Sequence, residues 1–208
     1  MRRHQVNEYG FWAIGLHWLI ALLIFGLLGL GFIMRRTAID PALQFSLYQW
    51  HKSVGLVVLG LAALNGLHWL AARHPAPVPT LGPIERRASL ATHLALALLC
   101  LVVPVAGWTV ASTTPLNIPT FFFELVVIPP LPLGRSEAGE DFWSLVHAST
   151  AYLLLALAAL HVAAALYHHF VRHDEVLLRM LGRKGPQGGN VRLASPAPQP
   201  APREGRKQ

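Results

Sequence analysis

SLVHASTAYLLLALAALHVAAALYHHFVR, residues 144–172, decides the fold. The run is apolar almost throughout and longer than the ~20 residues a helix needs to cross a bilayer. It carries His147, His161 and the adjacent His168 and His169. Histidine is costly in hydrocarbon, so two of them deep in one span mark function. His147 and His161 are fourteen residues apart, which sets them about 40° apart round a helix and ~21 Å apart along it. A helix furnished in this way can ligate two stacked macrocycles, one near each face of a membrane. His168 lies seven residues further on, near the same face, just beyond the apolar core.

Outward from this stretch, the 208-residue chain is 53% hydrophobic and only 13% charged. A soluble domain carries nearer a quarter charged residues, so the composition predicts an integral membrane protein without a second sizeable domain. The net charge of +7 raises nucleic acid as a partner. The basic residues sit at helix ends and in the tail, however, where they serve topology, and no nucleic-acid partner is expected. Cys100 is the single cysteine and lies in an apolar run, which excludes a disulfide framework and a cysteine metal cluster.

Apolar runs predict spans at 11–34, 44–72, 88–112 and 142–172. The first is too long for a cleavable signal, lacks a small-residue cleavage site and contains His17. Residues 1–9 read as a polar arm, 10–182 as an all-α, four-helix membrane bundle, and 183–208 as a disordered basic tail. Residues 74–87 read as a basic, proline-rich loop. Pro104 and Gly107 predict a kink in the third span. The longest connection, 113–142, contains TFFFELVVIPPLPLG, which reads as interfacial or partly re-entrant.

Four spans put both termini on one side. That side collects 13 of the 17 Lys and Arg, whereas the other has Arg35, Arg36, Lys52 and Arg135 against five acids. The positive-inside rule therefore predicts cytoplasmic termini. Depth then follows from span direction. His17 and His161 fall on the inner side of the midplane, and His51 and His147 on the outer side. Two matched levels read as two bis-histidine haem b sites, since six-coordinate low-spin iron suits electron transfer. Gly55, one turn after His51, and Gly26 and Gly29 in the first span would leave room for a flat group.

These residues resemble the bacterial cytochrome b561 family, four-helix dihaem membrane proteins that include the superoxide oxidase type. The likeness rests on His17-Trp18, on Trp50-His51, and on His93 followed by Pro104-Val105-Ala106-Gly107. It continues through His147, the step to Leu160-His161-Val162-Ala163-Ala164-Ala165-Leu166, His168-His169 and Leu177-Leu178-Arg179-Met180. It covers roughly residues 10–184. It implies two haem b groups on His17, His51, His147 and His161, electron exchange with ubiquinone, and a multi-pass place in the bacterial inner membrane. For the superoxide oxidase type it implies a superoxide:ubiquinone oxidoreductase, with superoxide giving its electron on the periplasmic side. Quinone is then reduced near the inner end of the fourth span, which makes His168 the candidate catalytic residue and quinone contact.

Other readings stand beside these. His93 reads equally as a partner for a haem propionate, as lining of the quinone site, or as a plain interfacial histidine. His68 beside Trp69 reads as an interfacial anchor, and His169 faces elsewhere on its helix. Lys52, Arg35 and Arg36 read as attracting superoxide or binding propionates, or as snorkelling helix ends. The alternative function is a non-catalytic cytochrome b subunit that anchors a redox partner, a hydrogenase or a periplasmic cytochrome, and links it to the quinone pool.

Overall fold

The computed structural model describes residues 10–36, 39–71 and 82–182. The expected arm (1–9), the expected tail (183–208), residue 72 of the expected second span and residues 74–81 of the expected loop lie outside the described residues. Four helices are long and apolar enough to cross a membrane: α1 (Phe11–Met34), α2 (Pro41–Ala71), α3 (Pro83–Thr113) and α4 (Glu137–Phe170). A short α5 (Val176–Met180) follows.

Three helices start earlier than the apolar runs suggest, and the causes are polar. Asp40 Oδ1 accepts the N–H groups of Ala42 (3.0 Å) and Leu43 (3.1 Å), and Pro41 opens the helix where its missing N–H costs nothing. Residues 83–87, expected in a loop, form the first turn and more of α3. There Glu85 Oε2 reaches back to the N–H of Gly82 at 2.8 Å, and Pro83 stands at the first helical position. Ser136 Oγ accepts the N–H of Gly139 at 3.1 Å, so α4 begins at Glu137 with Glu137 and Glu140 in its first turn, where the helix dipole favours acids. Helix α3 runs on through Pro104 to Thr113.

The connection read as interfacial or re-entrant contains a small hairpin, β1 (Thr120–Phe122) paired antiparallel with β2 (Val126–Ile128). Its residues are aromatic and β-branched, which suits strands. Phe123 and Glu124, in the turn, adopt φ of 49° and 62°, a strained region for residues that are not glycine. The surroundings hold this turn. Ser53 Oγ on α2 donates to Phe121 O (2.8 Å) and accepts from Phe123 N (3.0 Å). Gln49 Nε2 donates to Pro119 O at 3.2 Å, while its Oε1 accepts from Phe121 N at 3.2 Å. The Phe123 ring packs edge-on against Trp50. On the α3 side, Trp108 Nε1 donates to Pro129 O at 3.3 Å and Ser112 Oγ accepts from Leu131 N at 2.9 Å.

Close helix neighbours run α1–α2, α2–α3 and α3–α4, with α5 folded against α4. Trp18 Nε1 donates to Met180 O at 2.8 Å, which ties the start of α1 to the end of α5 and brings both described ends to one end of the bundle. One apolar cluster, Ile20, Ile24, Val58, Leu99 and Leu154, takes a side chain from every spanning helix. Leu154 lies seven residues from both His147 and His161, so the cluster sits at half height, between the two histidine levels. Among the described residues it is also the one buried side chain of α4.

Ser53 is 1% exposed and serves two backbone groups. Ser53→Ala leaves the half-buried Phe121 carbonyl and Phe123 N–H without this partner, at about 1 kcal/mol for each group. The expected outcome is a lower thermal midpoint in detergent and faster proteolytic cleavage within 117–131, with the four helices intact by circular dichroism.

Candidate functional site: two facing histidine levels

The inner level is assembled from helices that run in opposite directions, α1 and α4, and the outer level from two that run the same way, α2 and α4. At the inner level, α1 presents His17 and α4 presents His161, with ring centres 6.3 Å apart and planes at 64°. At the outer level, α2 presents His51 and α4 presents His147, with centres 6.1 Å apart and planes at 84°. The pairs are those that depth matching predicts. In these pairs α4 faces α1 and α2, whereas its close backbone packing is on α3 and α5.

The separation has chemical content. A metal–imidazole bond of about 2 Å, plus roughly 1.1 Å from nitrogen to ring centre, puts the centres of two axial imidazoles ~6.2 Å apart across one metal. Both pairs match that span. Among the described residues, no three His, Cys, Asp or Glu side chains converge to hold a metal ion. A metal between either pair therefore needs further ligands from a non-protein source, and a porphyrin supplies four in its plane.

Ring orientation at the outer level fits the same role. His147 Nδ1 lies 2.9 Å from Val103 O. A carbonyl can only accept, so Nδ1 carries the hydrogen and Nε2 keeps its lone pair for a metal. Gly107 makes this approach possible. A Cβ there would lie 3.0 Å from His147 Cε1 and 3.2 Å from its Nδ1. Sequence reasoning assigned Gly107 to a kink, and its packing role shows only once α3 and α4 are side by side. His51 Nδ1 is buried without a hydrogen-bond partner, a costly state that ligand binding at this level would account for. A Cβ at Gly31 would touch His51 Cε1 at an ordinary 3.6 Å. Gly26, Gly29 and Gly55 border open space.

His93 on α3 joins the inner level. Its ring centre is 5.1 Å from that of His161, too close for the axial span but suited to edge packing. Its Nδ1 donates to Ser89 O at 2.7 Å, which leaves Nε2 as an acceptor. Lys52 Nζ donates to Pro119 O at 3.3 Å, so this lysine braces the hairpin. His168 does not stand alone. Its Nδ1 meets Asp174 Oδ2 at 2.5 Å, in the loop before α5. Beside it, Arg172 pairs with Glu85 on α3. Sequence reasoning missed Asp174, and a carboxylate six residues after a candidate proton-handling histidine was the available signal.

The fold and these two levels define a class: a four-helix membrane protein whose histidines face one another in pairs at two depths. The family model for prokaryotic cytochrome b561 matches residues 8–183. "Cytochrome b561 homolog 2" of Escherichia coli (strain K12) is 29% identical over 184 residues, covering 88% of this chain and 96% of that protein. "Probable superoxide oxidase CybB" of Yersinia pestis is 26% identical over 182 residues, covering 86% and 98%. The chain belongs to the prokaryotic cytochrome b561 family and is a membrane electron-transfer protein of that family.

Gly107→Val pushes a branched side chain into the His147 ring, whereas Gly31→Ala adds a methyl in ordinary contact. Gly107→Val is expected to lose about half of the bound haem in a pyridine haemochrome assay, with Gly31→Ala close to wild type.

Proposed function

We propose that this chain carries electrons across a bacterial inner membrane, from a one-electron donor outside to ubiquinone at the cytoplasmic end. His17 with His161 and His51 with His147 would hold two haem b groups, one at each level. The observation that carries this reading is the pair of imidazole separations, 6.3 and 6.1 Å, at two depths on either side of one apolar cluster. Haem b held in this way supplies reversible one-electron chemistry at a potential set by ligation, hydrogen bonding and burial.

The residues divide the remaining work. Val103 O fixes the His147 ring and so orients its free nitrogen. Ile20, Ile24, Val58, Leu99 and Leu154 keep water out of the middle of the bundle, so charge passes between the levels without a wet path for protons. His93, held by Ser89 O, lines the inner level and accepts a hydrogen bond there. His168, at the end where both termini meet, handles protons for the quinone. The excess of Lys and Arg on that side supports cytoplasmic termini.

Superoxide is the preferred donor. Likeness to a probable superoxide oxidase supports it, and a diffusing radical needs no docking surface. The second reading, a subunit fed by a redox partner, draws support from the hairpin. Leu125 at its turn is 83% exposed, with Val126 and Val127 exposed beside it, a suitable apolar contact for another protein.

The test exposes oxidised, purified protein to a superoxide-generating system, with and without ubiquinone. Rapid reduction of b-type bands, reversed by ubiquinone, is the expected result. Bands that ignore superoxide would remove this donor and leave the partner-fed carrier.

A further inference from the structure

We propose that Asp174 is the positioning residue that makes His168 the proton donor to the quinone, an inference that rests on the quinone reading given above. Three contacts build the unit. His168 Nδ1 meets Asp174 Oδ2 at 2.5 Å, Asp174 N donates to His168 O at 3.1 Å, and Val176 N donates to Asp174 Oδ1 at 3.2 Å. His173, at φ 53°, lies in this turn immediately before Asp174. Asp174 is 7% exposed, and a buried carboxylate is costly unless something nearby compensates it. The compensation here is one imidazole on Oδ2 and the backbone N–H of Val176 on Oδ1.

The geometry has a chemical consequence. A carboxylate only accepts, so the His168 Nδ1 hydrogen is committed to Asp174 and Nε2 is the nitrogen available to a ligand. The same carboxylate offsets the positive charge of the imidazolium form, the logic by which a buried acid orients a histidine in acid–base catalysis. Among the described residues, Glu85 is a second carboxylate that feels His168, and it is held by Gly82 N and by Arg172. Asp174 is therefore the acid aligned on the ring. His168 is seven residues from His161, about two turns along the same face of α4 and ~10 Å further toward this end of the bundle.

The step balances. Quinone takes up two electrons, delivered one at a time by the protein's electron-transfer activity, and two protons, and becomes quinol. His168 Nε2 gives one proton to a quinone oxygen as charge builds there and is reprotonated from cytoplasmic water, and cytoplasmic water supplies the second proton. Asp174 keeps its charge throughout.

The experiment uses the full-length, haem-loaded protein, reduced with dithionite, freed of excess reductant and mixed with ubiquinone-1, with reoxidation followed optically. Asp174→Asn keeps an oxygen for Val176 N and removes the charge. Its rate at saturating quinone is expected to fall about 100-fold, with half-saturation within roughly twofold of wild type and unchanged band positions. The double variant D174N/H168A is expected to be no slower than H168A, because Asp174 acts through His168. If D174N loses its bands, Asp174→Ser, which also retains a capping oxygen, replaces it. Wild-type rates in D174N beside a slow H168A would overturn the role of Asp174 and leave the quinone site standing. Additive losses in the double variant would reduce Asp174 to a structural residue and overturn the inference. A wild-type rate in H168A would overturn the quinone reading itself, and this inference with it.

Discussion

Imidazole is expensive in a bilayer unless something takes up its polarity. This chain places four of them deep in its spans, as two facing pairs. The cost is borne where the rings meet one another and, for His147, a backbone carbonyl. Much else serves that meeting. The absence of a side chain at Gly107 lets α4 bring His147 against α3, and the shared apolar cluster sets the distance between levels by filling the middle. Helices that packed tightly along their whole length would leave no room between the rings for a planar group.

The two ends of the bundle are finished differently. At the outer end, polar side chains from α2 and α3 grip a short hairpin by its backbone, strongly enough to hold Phe123 and Glu124 in a left-handed turn. At the other end, α5 crosses from α4 back to α1, rooted by Asp174 on His168 and tied by Met180 to Trp18. Trp18 is next to His17, so the strap that carries the Asp174–His168 pair also braces a residue adjacent to the inner level. One end is built as a rigid rim with an apolar tip, and the other as a compact cluster of ionisable groups. That asymmetry suits the proposed function, in which single electrons enter on one side and are coupled to protons on the other.

Much of this was legible in the sequence, and the reason is geometric. A membrane span has a fixed direction and rise, so the position of a histidine within its span gives its depth, and depth alone pairs His17 with His161 and His51 with His147. The remainder was not legible, because it depends on where separate segments meet. Strands of three residues leave no period to read, and the turn between them uses Phe123 and Glu124 without glycine. The early starts of α3 and α4 come from caps, Glu85 on Gly82 and Ser136 on Gly139, that lie outside the apolar runs. Asp174 is unassigned from sequence because only the turn at His173 brings it onto the His168 ring.

The central claim is that each facing pair of imidazoles holds one haem. Its most direct test is the haem content and low-temperature electron paramagnetic resonance spectrum of the purified wild-type chain beside His51→Ala and His17→Ala. The account predicts two low-spin b-type haems per chain, with a different low-spin signal lost in each variant. A colourless protein, a single haem, or two variants that lose the same signal would contradict it.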